Sequence, residues 1–216
     1  VDLVIMNPPY SRQESIANFD AEYKRKLKNK RLRRYESHIN GLMSFYSYFF
    51  LIADRFLDTG GRVAAVVPHT LLNKSTDSGI RELLTTRYNI NYIFVRDDKT
   101  NFSEDTDFRE IMIIAEKDPG NSGTTSYVRL QSLDVHSDEI ADVCDSLNAG
   151  DTSEQENFLV QEIDTDTLNP ENLFTPFSVY NPDLLATWKE IIESDKITNL
   201  GSLDAGRIGG VRGGAD

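Results

Sequence analysis

Length, composition and charge limit the kinds of protein that this chain can be. Its 216 residues are 39% hydrophobic and 10% aromatic, which is enough for one sizeable globular core. No apolar run reaches the roughly 18 residues of a membrane span, and the single Cys144 excludes an internal disulfide. The net charge of −12 argues against a uniformly basic, nucleic-acid-binding surface.

The chain begins with an apolar run that ends in an unusual tetrapeptide. Residues 1–6 predict a strand buried on both faces, and Asn7-Pro8-Pro9-Tyr10 follows it directly. Ligand sites of open α/β sheets lie at the carboxyl ends of strands. Asn offers acceptor and donor atoms, the prolines stiffen the turn, and Tyr offers a flat ring. A plain proline turn is the alternative, but the combination favours a binding site.

A basic segment follows the tetrapeptide. Residues 24–34 hold eight cations and no acid, and we expect a short helix or a loop that orders on binding. Either these side chains contact phosphates or they form a solvated face, and Arg12 either contacts DNA or braces the loop. The cations are Lys24, Arg25, Lys26, Lys28, Lys30, Arg31, Arg33 and Arg34.

Alternating helices and strands come next. Residues 42–57 predict a well-buried helix, because Leu42, Phe45, Phe49, Ile52 and Phe56 recur at helical spacing and apolar residues cover most of its circumference. A second helix is expected over 79–87, capped by Asp77 or Ser78. The other elements are strands at 62–68, 91–95 and 110–116 and an edge strand at 125–130. This order predicts parallel pairing with right-handed crossovers, and antiparallel pairing among the last strands.

The remaining sequence differs in composition. Residues 133–175 are acid-rich and predict a connector with a short helix near 137–147. A second unit, with an amphipathic helix over 182–193 and a Gly-rich end, is expected over 176–216. A cofactor loop at that end is disfavoured because no strand precedes the glycines.

Asn7-Pro8-Pro9-Tyr10 resembles the catalytic motif of amino-group methyltransferases that use S-adenosylmethionine. With Ser11-Arg12-Gln13-Glu14, it is similar to DNA adenine-N6 methyltransferases of type I or type II Eco57I-like restriction–modification systems. The resemblance implies an α/β fold in which residues 1–132 form the second half of a Rossmann-like methyltransferase sheet. Residues 133–175 would be the linker, and 176–216 the start of a recognition domain.

The resemblance also implies roles for particular residues. Asn7, Pro8, Pro9 and Tyr10 would form the catalytic pocket, and Asn7 and Pro8 would also contact S-adenosylmethionine. Tyr10 and Phe102 would stack on a flipped adenine, with Phe108 as a rival for the second ring. The expected partners are double-stranded DNA and the specificity or restriction subunits of such a system.

Other sites are not expected. We predict no metal site, because His38 and His136 lack ligand spacing. We also predict a structural role for His69 and a cytoplasmic protein. Cys144, in an acidic stretch, is a poor candidate for a catalytic thiolate.

Two alternatives to DNA methylation stay open. Similar motifs serve in methylation of protein glutamine amides and of RNA guanine amino groups, and a non-catalytic DNA-recognition or assembly module is also conceivable. The family's first half, with its Gly-rich cofactor loop, would precede residue 1. We therefore expect this chain alone to bind S-adenosylmethionine weakly or not at all, and not to methylate DNA.

Overall fold

The computed structural model places helices on both faces of a six-stranded sheet. It describes residues 1–10, 31–40, 42–96, 102–103, 109–118, 120, 123–131, 139–150, 158–165, 168, 187 and 190. The strands are β1 (Leu3–Met6), β2 (Arg62–Pro68), β3 (Asn89–Arg96), β4 (Glu110–Glu116), β5 (Thr124–Leu130) and β6 (Phe158–Asp164). The α-helices are α1 (Phe45–Phe56), α2 (Ser78–Arg87) and α3 (Glu139–Ala149), and 3-10 turns span Arg33–His38, His69–Leu72 and Ser75–Asp77.

The sheet mixes parallel and antiparallel neighbours. Its spatial order is β1-β2-β4-β3-β5-β6. β1 pairs with β2 in parallel, and β3 pairs with β5 in parallel. β4 lies antiparallel between β2 and β3, and β6 is antiparallel to β5. The parallel start and the later antiparallel pairing are therefore both confirmed. The insertion of β4 between β2 and β3 was not foreseen.

Alternation along the central strands supplies two apolar faces. On β4, Ile111, Ile113 and Ala115 belong to the main core, whereas Met112 and Ile114 pack on a second cluster that includes Val143 of α3. Because successive side chains of a strand point to opposite faces, both faces of the sheet are covered. Each fully buried Ile or Val contributes on the order of 1.5–3 kcal/mol through loss of exposed apolar surface. The α/β fold class is confirmed.

Two buried aspartates tie the helices of the main core together. Asp77 accepts hydrogen bonds from the Ser44 backbone nitrogen (2.8 Å), the Ser47 hydroxyl (2.7 Å) and the Tyr46 hydroxyl (3.0 Å). Asp77 stands at the N-cap position of α2 but makes no side-chain cap bond there. The predicted cap residue is therefore correct, but its carboxylate satisfies donors at the start of α1 and not those of the first turn of α2.

Asp54 is the second buried aspartate. Its carboxylate accepts hydrogen bonds from the hydroxyls of Tyr35 (2.5 Å) and Tyr88 (3.0 Å), and it is fully buried. Lys117 lies 3.3 Å from one of its oxygens, and Arg87 lies 3.3 Å from the other. Burial alone would raise the pKa of Asp54, but the tyrosine hydrogen bonds and the charge of Lys117 lower it below the ordinary value.

Two expectations about strands are wrong, and the buried side of α1 was not foreseen. β1 is an edge strand with one open face, and its Leu3 and Ile5 are 56% and 76% exposed. Helix α1 is well buried as predicted, but Phe56 of the predicted stripe is exposed and the opposite side carries Phe50 and Leu51 into the core. Leu42 lies before the helix and is exposed. The apolar residues of α1 cover most of its own circumference, so their periodicity could not show which side is buried.

The second wrong expectation concerns β5, which is not an edge strand because β6 pairs along its whole length. β6 and α3 both lie within residues 133–175, the segment predicted as a connector. The domain boundaries themselves stay predictions. Of the predicted 182–193 helix, the structure describes only positions 187 and 190, and both are helical. The rest of this range lies outside the described residues. Within the described ranges, no helix has the length and apolar character needed to cross a bilayer.

Candidate functional site

Strand direction brings distant residues to one edge of the sheet. β1 and β2 run in parallel, so Asn7 and His69 both follow strand ends at the same edge. β4 runs the opposite way and begins at this edge, where Glu110 pairs with Pro68. This is the edge at which open α/β sheets bind ligands.

The tetrapeptide forms a compact, partly open turn at this edge. Asn7 and Pro9 are exposed, Pro8 is buried, and Tyr10 is half-buried against the main core. The Tyr10 hydroxyl donates a hydrogen bond to Asn7 Oδ1 at 3.1 Å. Asn7 Nδ2 donates to Ser103 Oγ at 3.0 Å. The Asn7 amide is therefore held from both ends.

Ser103 and Glu110 extend this chain of hydrogen bonds, and sequence analysis assigned neither of them a role. The Ser103 backbone nitrogen donates to Glu110 Oε2 at 2.8 Å. Glu110 is 2% exposed, so a carboxylate stands in the wall of the turn. The available signals were the position of Ser103 next to Phe102 and the presence of an acid as the first residue of a predicted buried strand.

Burial and neighbouring charges favour the neutral forms of Tyr10 and His69. Burial, and then the hydrogen bond and negative charge of Glu110, raise the pKa of Tyr10 well above its ordinary value, so the hydroxyl remains a donor. Burial, and then the charge of Arg109, lower the pKa of His69. A neutral phenol and a neutral imidazole suit a site that works through hydrogen bonds.

Phe102 lies near this site along the chain, but its ring packs on the α3 side of the sheet. The ring belongs to the second cluster, and the Arg96 guanidinium carbon lies 6.0 Å from its centroid. Together with Phe94, Met112, Val143 and the exposed Cys144, it lines an apolar cavity of about 260 Å³. Stacking of Phe102 on a base stays a prediction, and Phe108 lies outside the described residues.

The basic segment is described only at its carboxyl end. The described arginines are exposed: Arg31, Arg33 and Arg34. The neighbouring apolar residues, Leu32 and Tyr35, are fully buried. The Tyr35 hydrogen bond to Asp54 fastens this end of the segment to α1, and Arg55 donates to the Arg31 carbonyl at 3.0 Å. Arg12, Lys24, Arg25, Lys26, Lys28 and Lys30 lie outside the described residues.

Two of the described residues could line part of an S-adenosylmethionine site, which the resemblance implies. Asn7 supplies an exposed carboxamide oxygen, and the buried Glu110 supplies negative charge, which suits the neighbourhood of a sulfonium cation. Among the described residues, no group of three or more His, Cys, Asp or Glu side chains could hold a metal ion.

Comparisons with known proteins concern the first half of the sequence and the overall fold. Residues 1–102 match the family described as Eco57I restriction-modification methylase. No curated protein sequence matches the chain. The chain covers 22% of the type IIG restriction endonuclease BpuSI, with 88% of this chain aligned, 16% identity and a TM-score of 0.60.

Two further structures are similar. A type I restriction-modification system methyltransferase subunit from Streptococcus thermophilus aligns with 74% of this chain and 34% of its own, at 18% identity and a TM-score of 0.52. A chain of a type I R-M system aligns with 88% of this chain and 43% of its own, at 17% identity and a TM-score of 0.51. At these identities the likeness concerns the fold, and the chain spans less than half the length of each structure.

The fold is thus shared with parts of restriction–modification proteins, and residues 1–102 match the Eco57I restriction-modification methylase family, which confirms the resemblance to that family.

Proposed function

We propose that the protein containing this sequence is a site-specific DNA methyltransferase. It transfers a methyl group from S-adenosylmethionine to adenine N6 in duplex DNA, within a restriction–modification or phage-defence system of the cytoplasm. The observation that carries the proposal is the Asn7–Tyr10 turn, with its carboxamide oxygen and its half-buried ring at the ligand-binding edge of the sheet.

The chemistry follows from the weakness of the nucleophile. The lone pair of an aromatic amino group is delocalised into the ring, so it must be turned toward the methyl group. Asn7 Oδ1 would accept one N–H bond and the Pro8 carbonyl the other, as the resemblance implies. Positive charge then grows on the nitrogen, and these two dipoles stabilise it. One such preorganised group is worth roughly 3–4 kcal/mol in the transition state.

Each remaining requirement has a candidate residue. S-adenosylmethionine, when bound, supplies the electrophilic methyl group, and Asn7 and Pro8 would lie against it. A base in a duplex must be flipped out to reach the turn, at a cost of a few kcal/mol that stacking on Tyr10 and Phe102 would offset. The cations of residues 24–34 and Arg12 would contact phosphates, and specificity or restriction subunits are the proposed protein partners.

The experiment uses the longest natural protein that contains this sequence. Asn7→Ala should abolish transfer of labelled methyl groups to duplex DNA while DNA affinity changes less than about threefold, because the lost interaction belongs to the transition state. Asn148→Ala, an exposed asparagine of α3, is the matched control and should retain activity. Full activity of Asn7→Ala would exclude the assigned role.

Product analysis separates the alternatives. Mass spectrometry should find N6-methyladenine in DNA. Methylglutamine in protein or methylguanine in RNA would move the same chemistry to another acceptor, and DNA binding without any methylated product would leave a recognition module.

A further inference from the structure

Glu110 is a buried carboxylate that the proposed chemistry does not yet use. It is 2% exposed, and its Oε2 accepts the Ser103 backbone N–H at 2.8 Å. Its Oε1 is buried and has no hydrogen-bond partner among the described residues. A buried acceptor without a donor is costly, and in native structures such an atom calls for a specific explanation.

The side-chain oxygen of Asn7, in contrast, has two donors to accept from: the Tyr10 hydroxyl and a substrate amino group. Asn7 Oδ1 already accepts the Tyr10 hydroxyl at 3.1 Å, and a substrate amino group would use the same atom. The oxygen has two lone pairs, so both donors could in principle share it. However, a retained hydroxyl would place a second positive dipole beside the amino nitrogen just as that nitrogen gains positive charge.

Glu110 lies where it can relieve this conflict. After burial, Glu110 is the next cause of the raised pKa of Tyr10, so the carboxylate lies close to that hydroxyl. Ser103 links the two residues from the other side, since it donates to Glu110 and accepts from Asn7. Tyr10, Asn7, Ser103 and Glu110 therefore belong to one connected group of polar side chains.

We propose that Glu110 is a positioning residue of the amino-group pocket: its free Oε1 accepts the Tyr10 hydroxyl when a substrate amino group takes the Asn7 oxygen. The inference rests on the proposed amino-methyltransferase function but not on adenine as the acceptor. Glu110 does not touch the reacting atoms in this scheme, because it acts through Tyr10.

Glu110→Gln tests this with little change of shape. The carboxamide oxygen of Gln can keep the Ser103 N–H, and its amino group then faces Tyr10 as a donor that cannot accept the hydroxyl. In the full natural protein, we expect Glu110→Gln to lower kcat about tenfold, the effect of roughly one hydrogen bond, with the KM for DNA changed less than about twofold.

The Tyr10→Phe background distinguishes positioning from a general structural effect. Without the hydroxyl, Glu110 Oε1 has no donor to accept from, so adding Glu110→Gln to Tyr10→Phe should lower kcat less than about twofold. Glu116, at the other end of β4, lies away from the turn. Glu116→Gln is therefore the matched control and should leave kcat unchanged. An undiminished kcat for Glu110→Gln, or an equal tenfold loss in both backgrounds, would overturn the proposal.

Thermal unfolding and Asn7→Ala complete the test. The melting temperature of Glu110→Gln should stay within a few degrees of the parent, and a collapse of the fold would assign Glu110 a structural role and overturn the proposal. If Asn7→Ala is inactive while Glu110→Gln is not impaired, only this inference fails. If Asn7→Ala is fully active, the proposed function fails with it.

Discussion

Neutralising Asp54 is expected to destabilise the protein more than any exposed charge change. Asp54→Asn keeps the shape of the side chain, but its Nδ2 can only donate, so one of the two tyrosine hydroxyls loses its acceptor. The same change leaves Lys117 and Arg87 facing a neutral group from 3.3 Å. Breaking a buried, hydrogen-bonded ion pair typically costs about 3–5 kcal/mol.

A loss of that size is a large fraction of the roughly 5–15 kcal/mol by which domains are stable. It corresponds to a fall of about 10 °C in melting temperature for a chain of this length. The assay is urea unfolding at pH 7 followed by circular dichroism. Asp142→Asn, an exposed carboxylate of α3, is the control, and its free energy of unfolding should change less than about 0.5 kcal/mol.

The pH dependence gives a second measure of the same contact. Because the folded-state pKa of Asp54 is lowered, its contribution is present above the unfolded value of about 4 and is lost as pH falls through the folded value. The parent should therefore lose stability below about pH 4 more steeply than Asp54→Asn. Unfolding free energies within 1 kcal/mol at pH 7, with parallel acid profiles, would refute the reasoning.

Two further predictions concern the surroundings of the site and the core. Gly79→Ala should destabilise the fold by about 1–3 kcal/mol in urea titrations, because a Cβ there would lie 2.1 Å from the His38 carbonyl oxygen; Gly123→Ala, with only ordinary contacts, should not. The lowered pKa of His69 means that its contribution to stability is complete above pH 6.5 and declines as pH falls below it. Its NMR titration midpoint should lie below 6.5, and His69→Gln should remove that part of the pH profile.

The positions of the elements could be predicted because they depend on local patterns. β2 and β4 occur where apolar runs predicted them, and α1 follows from helical spacing. The order of strands could not be predicted, since the pairing of β4 with β2 depends on contacts between residues more than 40 positions apart along the chain. The exposed side of α1 was missed for a related reason: only the position of the sheet selects which apolar side is covered.

The candidate site divides in the same way. Asn7 to Tyr10 are contiguous, so a motif and its preceding strand sufficed to single them out. Glu110 belongs to the site only because its register with Pro68 places it at the same edge, and Ser103 only because the chain before β4 returns to Asn7. Neither relation is written in the sequence around those residues.

The counter-charges around Asp54 have a consequence for sequence variation. In the described part of the chain, Arg34, Arg87 and Lys117 all lie within 4 Å of the one carboxylate. The loss of any one cation leaves two others beside the carboxylate, whereas the loss of the acid leaves all three cations without their partner. Among natural relatives we expect Asp54 to vary less than any of the three. Arg34 lies farthest from the carboxylate, at 3.7 Å. It could leave Asp54 to bind a phosphate group, and Asp54 would still have two counter-charges.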